Sequence, residues 1–397
     1  MPAALTVKDA PSIPPGERSQ PTDRAERSEL ALVIWDGRIG GSESLGAALA
    51  AAIAKLGAQM SVIFICQPEP LAQRLREAGV HYRTLGLNRG GHVLAHCRRL
   101  ARLAGELGPD GTLLEERGLM CLALRAGGYR APMVAVEHGS VLLDERQPPS
   151  FRRARRALTR ALAGTSVDVE VAVSDFMLTR LSRTIHAKHT LRIYNGIDPD
   201  VYSAADRRNG NGPVRIGFAG RLVPGKGVEE LLEASALAAE RQPLELLIAG
   251  RGSERERLEA HAARRGSPAR VRFLGHVEDM PAFWAGCDIA VIPSGRFTES
   301  FSMTTLEAMC CERAVIATRN GAIPELMVDG QTGTLVAPDD VEGMSNALLA
   351  YARSPNMRRE HGRAARSRAR EKFHIERCAD AYLRLFAVLA TNKAGRR

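Results

Sequence analysis

The sequence predicts an α/β fold made of two doubly wound domains, one after the other along the chain. Three observations predict it. Apolar runs of strand length alternate with helical stretches from Leu30 onward, and the alternation starts afresh after a polar, glycine-rich stretch at 207–212. The chain of 397 residues also exceeds what one core supports at about 150 residues per domain. Two such domains leave a cleft between them.

In the first half, LALVIW from Leu30 is a continuous apolar run, the pattern of a central parallel strand covered on both faces. Gly40-Gly41-Ser42-Glu43 reads as a loop leading into the alanine-rich helix SLGAALAAAIAKLG, which ends near Gly57. SVIFIC at 61–66 is the next strand, followed by helices around 69–78 and 92–107 and the strands MVAV at 133–136 and VEVAVS at 169–174. A doubly wound sheet binds ligands beyond the carboxyl ends of its strands, where Gly40-Gly41 and Glu137-His138-Gly139 fall.

VRIGFAG at 214–220 opens the second half as a strand, followed by the loop RLVPGKG and a helix at 228–240. The strand LELLIAG, a helix at 254–264 and the strands VRFLG and DIAVIPS come next. A last helix over about 375–391 carries Ala379, Tyr382, Leu383, Phe386 and Leu389 on one side. These boundaries divide the chain into a tail at 1–28, domains at 29–195 and 196–374, and a C-terminal helix and tail at 375–397. The first segment is expected to be disordered, because it holds five prolines and mixed charge without periodic apolar residues.

Hydrophobic residues make up 45% and charged residues 25%, which are globular values and exclude disorder of the whole. A formal charge of +10 favours anionic partners. The basic stretches lack interleaved aromatics, and with only 5% aromatic residues overall no nucleic-acid partner is expected. The seven cysteines (66, 97, 121, 287, 310, 311 and 378) contain no C-x-x-C and read as reduced thiols in a cytoplasm. No run approaches the roughly 20 apolar residues of a membrane span, and the N-terminus lacks an apolar signal core. FRRARRALTRAL at 151–162 is expected to be a solvated helix packing a stripe of Phe151, Leu158 and Leu162 instead of making peripheral membrane contact.

Chemistry concentrates in two places. Gly220 to Gly227 read GRLVPGKG, the first part of a phosphate-binding P-loop between strand and helix, but Gly227 stands where the magnesium-binding hydroxyl belongs. That excludes nucleotide hydrolysis of the P-loop type and leaves Arg221 and Lys226 as a cationic grip for a diphosphate leaving group at a helix N-terminus. The segment IPSGRFTESFSMTTLEAMCCE places Glu299 in a loop and Glu307 in the following helix. Helix-start amides around Phe301, Ser302, Met303 and Thr304 suit sugar hydroxyls or phosphate oxygens, and carboxylates accept hydroxyl pairs. Asp198-Pro199-Asp200 spells D-x-D, but turn chemistry after Tyr194-Asn195-Gly196-Ile197 explains it, and no metal is expected.

Here the chain resembles glycosyltransferase family four. ESF, LEAM and AVIATRNGAIPELMVDGQTGTLVAPDD carry the resemblance, with GGSE at 40–43, EHG at 137–139, AVS at 172–174, YNGID at 194–198, FAGRLVPGKG at 218–227 and FLGHV at 273–277 in matching order. The resemblance implies two facing Rossmann-like domains (GT-B) with the active site in the interdomain cleft, the N-terminal domain taking the acceptor and the C-terminal one the donor. It implies that Glu299 contacts the transferred sugar, Glu307 binds the donor ribose, Arg221 and Lys226 grip the diphosphate, Gly41 brings amides to the donor phosphate, and His138 lies near the transferred sugar. Leu274 to Val277 would border the base. Ser302, where many members have glycine, and Arg251 depart from the pattern.

The expected function is retaining transfer of a sugar from a UDP- or GDP-linked donor to a small-molecule or lipid-linked acceptor, without a metal, in the biosynthesis of a glycoconjugate or natural product. A sugar-nucleotide epimerase and a non-catalytic nucleotide-sugar-binding protein share the architecture. The ESF and LEAM arrangement argues against the first, and joint retention of Glu299, Glu307, Arg221, Lys226 and His138 argues against the second.

Overall fold

The computed structural model describes residues 28–37, 41–88, 92–115, 118–139, 142, 151–184, 189–202, 212–265 and 269–394. The N-terminal segment up to 27, Gly40, residues 89–91 and 143–150 and most of the glycine-rich stretch at 207–212 lie outside them. The chain forms two units, Met1–Gly196 with Ile375–Arg397, and Ile197–His374.

The first unit is built on β1 (Glu29–Ile34), β2 (Gln59–Phe64), β3 (His81–Thr84), β4 (Gly111–Leu114), β5 (Met133–Glu137), β6 (Val169–Ala172) and β7 (Thr190–Arg192). All pair in parallel in the order β3-β2-β1-β4-β5-β6-β7. Its helices are α1 (Gly41–Lys55), α2 (Leu71–Glu77), α3 (Cys97–Leu107), α4 (Leu119–Ala126), α5 (Phe151–Gly164) and α6 (Asp175–Thr184). The turn Val93–His96, expected as part of a longer helix, is a 3-10 turn before α3. The central strands are buried along almost their whole length, which is why they read as unbroken apolar runs.

Two readings are corrected here. Gly41 is the first residue of α1 and not a loop residue. Leu158 and Leu162 of α5 are 61% and 51% exposed, so they form no packed stripe; Ala163 of α5 reaches the core, and the Phe151 side chain lies outside the described ones.

The second unit repeats the order, β10-β9-β8-β11-β12-β13, all parallel. Its strands are β8 (Val214–Ala219), β9 (Leu244–Ala249), β10 (Arg270–Gly275), β11 (Ile289–Ile292), β12 (Ala314–Thr318) and β13 (Thr334–Val336). The helices are α7 (Val228–Ala239), α8 (Arg255–Arg265), α9 (Met280–Ala285), α10 (Met303–Cys310), α11 (Ile323–Leu326), α12 (Val341–Arg353) and α13 (Pro355–Phe373). The last helix, α14 (Ile375–Ala394), returns to the first unit, where it packs on α1. No helix among the described residues is long and apolar enough to cross a membrane.

In both sheets the strand order reverses beside the first strand of the set, between β1 and β4 and between β8 and β11. Loops leaving adjacent strands toward opposite faces open a crevice there. In the second unit those loops are 220–227 after β8 and 293–302 after β11, the two segments the sequence singles out.

Candidate active site

The loop after β8 is shaped by glycine. Gly225 and Gly227 have φ of +83° and +75°, and a Cβ on Gly227 would sit 1.8 Å from the Pro293 carbonyl oxygen. The missing P-loop hydroxyl therefore has a steric reason: the residue before α7 lies against the β11 loop with no room for a side chain. The amides of Gly295 and Phe297 both donate to the Gly225 carbonyl, at 3.0 and 2.9 Å, and bind the two loops into one body.

That docking brings the expected side chains together. Lys226 Nζ lies 2.7 Å from Glu299 Oε1, and Ser294 Oγ donates to the same oxygen at 2.6 Å. The pair is nearly closed to solvent, with side-chain exposures of 14% for Lys226 and 10% for Glu299. Phe297 lies under both cations: its ring centroid is 3.9 Å from Lys226 Nζ and 5.4 Å from Arg221 Cζ. A ring face attracts a cation without neutralising it, so Phe297 holds two like charges close, Lys226 paired with Glu299 and Arg221 open to an anion. Arg221 itself is exposed.

Asn320 braces the β11 loop through its side-chain amide, donating to the carbonyls of Ser294 at 2.8 Å and Phe297 at 3.2 Å and also to Gly295. Thr318 Oγ1 donates to the Ser294 carbonyl at 2.6 Å, and the Ala322 amide to that of Glu299 at 2.9 Å. Glu299 is thus fixed by its backbone as well as its carboxylate.

Ser302 caps α10. Its Oγ accepts from Thr305 Oγ1 at 2.8 Å and from the Thr305 amide at 3.4 Å, with Thr304 Oγ1 at 3.2 Å. The serine at this position supplies the cap with a side-chain oxygen. Met303 and Thr304 supply the first-turn amides, which precede any intrahelical acceptor four residues back.

Glu307, one turn further along α10, is half-buried. The buried Trp284 donates Nε1–H to its Oε2 at 3.2 Å, and the Tyr202 hydroxyl is its second partner. Burial pushes the carboxyl above its ordinary range, and the two donors pull it back. Burial and the Glu307 charge together push the Tyr202 phenol well above its usual range, so it remains a donor. Arg366 of α13 holds the Tyr202 backbone by donating to its carbonyl at 2.7 Å and to that of Pro199 at 3.2 Å.

Arg221, Lys226, Glu299, Ser302, Met303, Thr304 and Glu307 therefore fall on adjoining loops and one helix of the second unit. Gly41 and His138 belong to the first unit, at the carboxyl edge of its sheet. Gly41 is exposed at the start of α1, and a Cβ there would meet nothing within 4 Å. In Glu137-His138-Gly139 the outer residues act structurally: the buried Glu137 takes the Gly139 amide on Oε1 at 2.6 Å, and Gly139 has φ of +123°. The half-buried His138 between them has its pKa lowered to about 4 by burial, so its imidazole is neutral at physiological pH. The D-x-D aspartates make a turn, Asp198 Oδ1 accepting the Asp200 amide at 3.0 Å.

Phe297, Trp284, Tyr202, Ser294 and Asn320 are absent from the sequence-derived set. Phe297 carried a faint signal, a large apolar residue inside the polar loop GRFTES. Tyr202 and Asn320 reach the site from segments distant in sequence, which no local spacing reveals.

Known proteins bear on this geometry. A Glycosyltransferase Family 4 profile matches residues 39–201, and a Glycosyl transferases group 1 profile matches 204–368. The glycogen synthase of Mycobacterium tuberculosis is 31% identical over 197 residues, 49% of this chain and 47% of that protein. The GDP-mannose-dependent alpha-(1-6)-phosphatidylinositol monomannoside mannosyltransferase of Mycolicibacterium smegmatis is 32% identical over 62% of this chain and 66% of its own length. The chain thus spans about half the length of the first relative and more of the second. In fold it is similar to HepE of Anabaena, solved with UDP and glucose, with a TM-score of 0.75 at 20% identity over 91% of this chain and 99% of that one. The two profiles run almost end to end, largely one over each unit, and the chain belongs to glycosyltransferase family 4, with the group 1 glycosyl transferase module in its second unit.

Proposed function

We propose that the protein is a retaining glycosyltransferase that moves a sugar from a UDP- or GDP-linked donor to a hydroxyl on a small or lipid-linked acceptor. The Lys226–Glu299 pair beside Arg221 at the switch point of the second sheet carries this reading. The names of similar proteins support a nucleotide-sugar donor and leave its base open, since one relative is GDP-mannose-dependent and HepE was solved with UDP and with UDP-glucose.

In this reading the donor diphosphate competes with Glu299 for Lys226. Once Lys226 turns to phosphate, Glu299 Oε1 is released to accept sugar hydroxyls, with Ser294 still holding it in place. Glu307 takes the ribose hydroxyls. As the bond from the anomeric carbon to the diphosphate oxygen breaks, negative charge grows on the leaving group, where Arg221, Lys226 and the α10 amides stabilise it. The acceptor oxygen bonds to the anomeric carbon from the same face, and its proton passes to the departing diphosphate. No protein nucleophile is used, and the role of the protein is charge stabilisation and placement. His138, neutral, offers a hydrogen bond without adding charge. The chemistry needs no metal, and it belongs in the cytoplasm, where the seven free thiols stay reduced.

Thermal shifts with UDP, GDP, ADP and their sugars test the reading. One nucleotide series stabilises the wild type, Arg221→Ala and Glu307→Ala abolish most of that gain, and EDTA leaves transfer intact. Arg221 is exposed, so its variant keeps the fold and isolates binding. Silence across the whole panel, or undiminished shifts in both variants, would sink the assignment.

A further inference from the structure

Away from the donor loops, the geometry points to a transition-metal site on the helix layer of the second unit, formed by Glu229 and Glu233 of α7 and His261 of α8. The two glutamates stand four residues apart on one helix face. One ligand atom from each of the three residues lies within 4.8 Å of the other two. His261 Nδ1 is 3.5 Å from Glu229 Oε1, and Nε2 is 3.8 Å from Glu233 Oε1. Ligand atoms bound at about 2.1 Å to a tetrahedral ion stand about 3.4 Å apart, so the 3.8 Å between His261 Nε2 and Glu233 Oε1 is close to a coordination edge.

His261 Nε2 supplies a second observation. It is buried and has no hydrogen-bond partner among the described residues, because 3.8 Å to Glu233 is too long for one. A ring nitrogen shielded from water and facing a carboxylate at that distance is satisfied by an ion between them. Glu229 is also pre-oriented: Arg257 Nη1 holds its Oε2 at 2.6 Å, and Arg257 Nε is held by Glu254 Oε2 at 2.7 Å. This leaves Oε1 turned toward His261, as an outer layer of hydrogen bonds orients metal ligands elsewhere. One imidazole and two carboxylates suit Zn²⁺, Co²⁺ or Ni²⁺ better than Mg²⁺ or Ca²⁺. Side-chain exposures of 37% for Glu229 and 32% for Glu233 give an ion an entry path and let water complete the coordination.

Glu229 lies two residues beyond Gly227, so a bound ion ties the first turn of the helix carrying the 220–227 loop to α8. The site is structural and independent of the donor reading.

Titration of the EDTA-stripped full chain with Co²⁺, followed by absorbance and calorimetry, tests it. Wild type takes one equivalent, displaced by Zn²⁺, while Glu233→Gln and His261→Ala each weaken Co²⁺ binding at least tenfold. The double variant gives the background from the other nine histidines and seven cysteines. Glu233→Gln keeps the helix contact, so a folded protein that still loses Co²⁺ supports the site even where His261→Ala disturbs α8. Equal binding by wild type and double variant, or no uptake by wild type at submillimolar Co²⁺, overturns it and leaves an ion-paired helix contact.

Discussion

Lys226 and Glu299 hold opposite charges 2.7 Å apart where little water reaches them. Removing one partner leaves a buried charge uncompensated, which costs about 3–5 kcal/mol, whereas removing both is far cheaper. Lys226→Met and Glu299→Gln should therefore each lower the urea midpoint strongly, and the double variant should recover much of the loss; additive effects would show that the pair is not coupled. His138 makes a different prediction. Its folded-state pKa is about 4, while the unfolded chain takes the proton near the ordinary histidine value of about 6.5. Between those values the unfolded state binds more protons, so stability is full above 6.5 and falls as pH drops toward 4. Melting temperatures across that range should fall less in His138→Asn than in wild type, and parallel curves would remove His138 from the pH response. Local sequence revealed all three residues because each sits in a recognisable triplet or loop. Trp284 and Tyr202 were illegible: they reach Glu307 only once α9 and the segment after Gly196 fold against α10.

Elements buried on both faces, such as β1, β2, β8 and β9, announce themselves as apolar runs. The edge strand β3 does not, since His81, Arg83 and Thr84 are exposed and Tyr82 is half-buried, leaving no period to find. Strands β4 and β7 are short, with four and three residues, and their pairing is fixed by neighbours instead of local pattern. The 220–227 loop was legible from its glycines as a turn between strand and helix, but the reason for Gly227 is tertiary. Gly227→Ala forces a Cβ into the Pro293 carbonyl at a φ of +75°, so it should destabilise the second unit well beyond the ordinary glycine-to-alanine effect of about 1 kcal/mol. Calorimetry on the variant checks this; an unchanged transition would mean that the β11 loop yields freely. At the α10 cap, Ser302→Ala removes an oxygen that serves Thr305, with an expected loss of about 1 kcal/mol, whereas Ser302→Gly loses only a few tenths. A larger alanine penalty would implicate the cap oxygen in more than helix ending.

The two units share one strand order, and the repeated architecture could be read from the restart of the alternation near Val214. The destination of α14 could not, because an amphipathic helix declares that it has a buried side and not which surface covers it. In the fold, Cys378, Ala379, Tyr382, Leu383 and Phe386 are buried in the first unit, with Phe386 against Gly111 and Ile375 against Gly196. At about 1.5–3 kcal/mol for each large apolar side chain, the helix contributes several kcal/mol, comparable with the 5–15 kcal/mol that holds a whole domain together. A chain stopped after His374 should therefore lose hydrogen-exchange protection throughout β1–β7 while keeping it in β8–β13, where the 220–227 and 293–302 loops and their braces are complete without α14. The truncated chain should still respond to the nucleotide that stabilises the full chain, because Arg221, Lys226, Glu299 and Glu307 all lie between Ile197 and His374. Equal loss of protection in both sheets would show that the second unit depends on the first, and retention in both would show that α14 is an accessory to a core already stable without it.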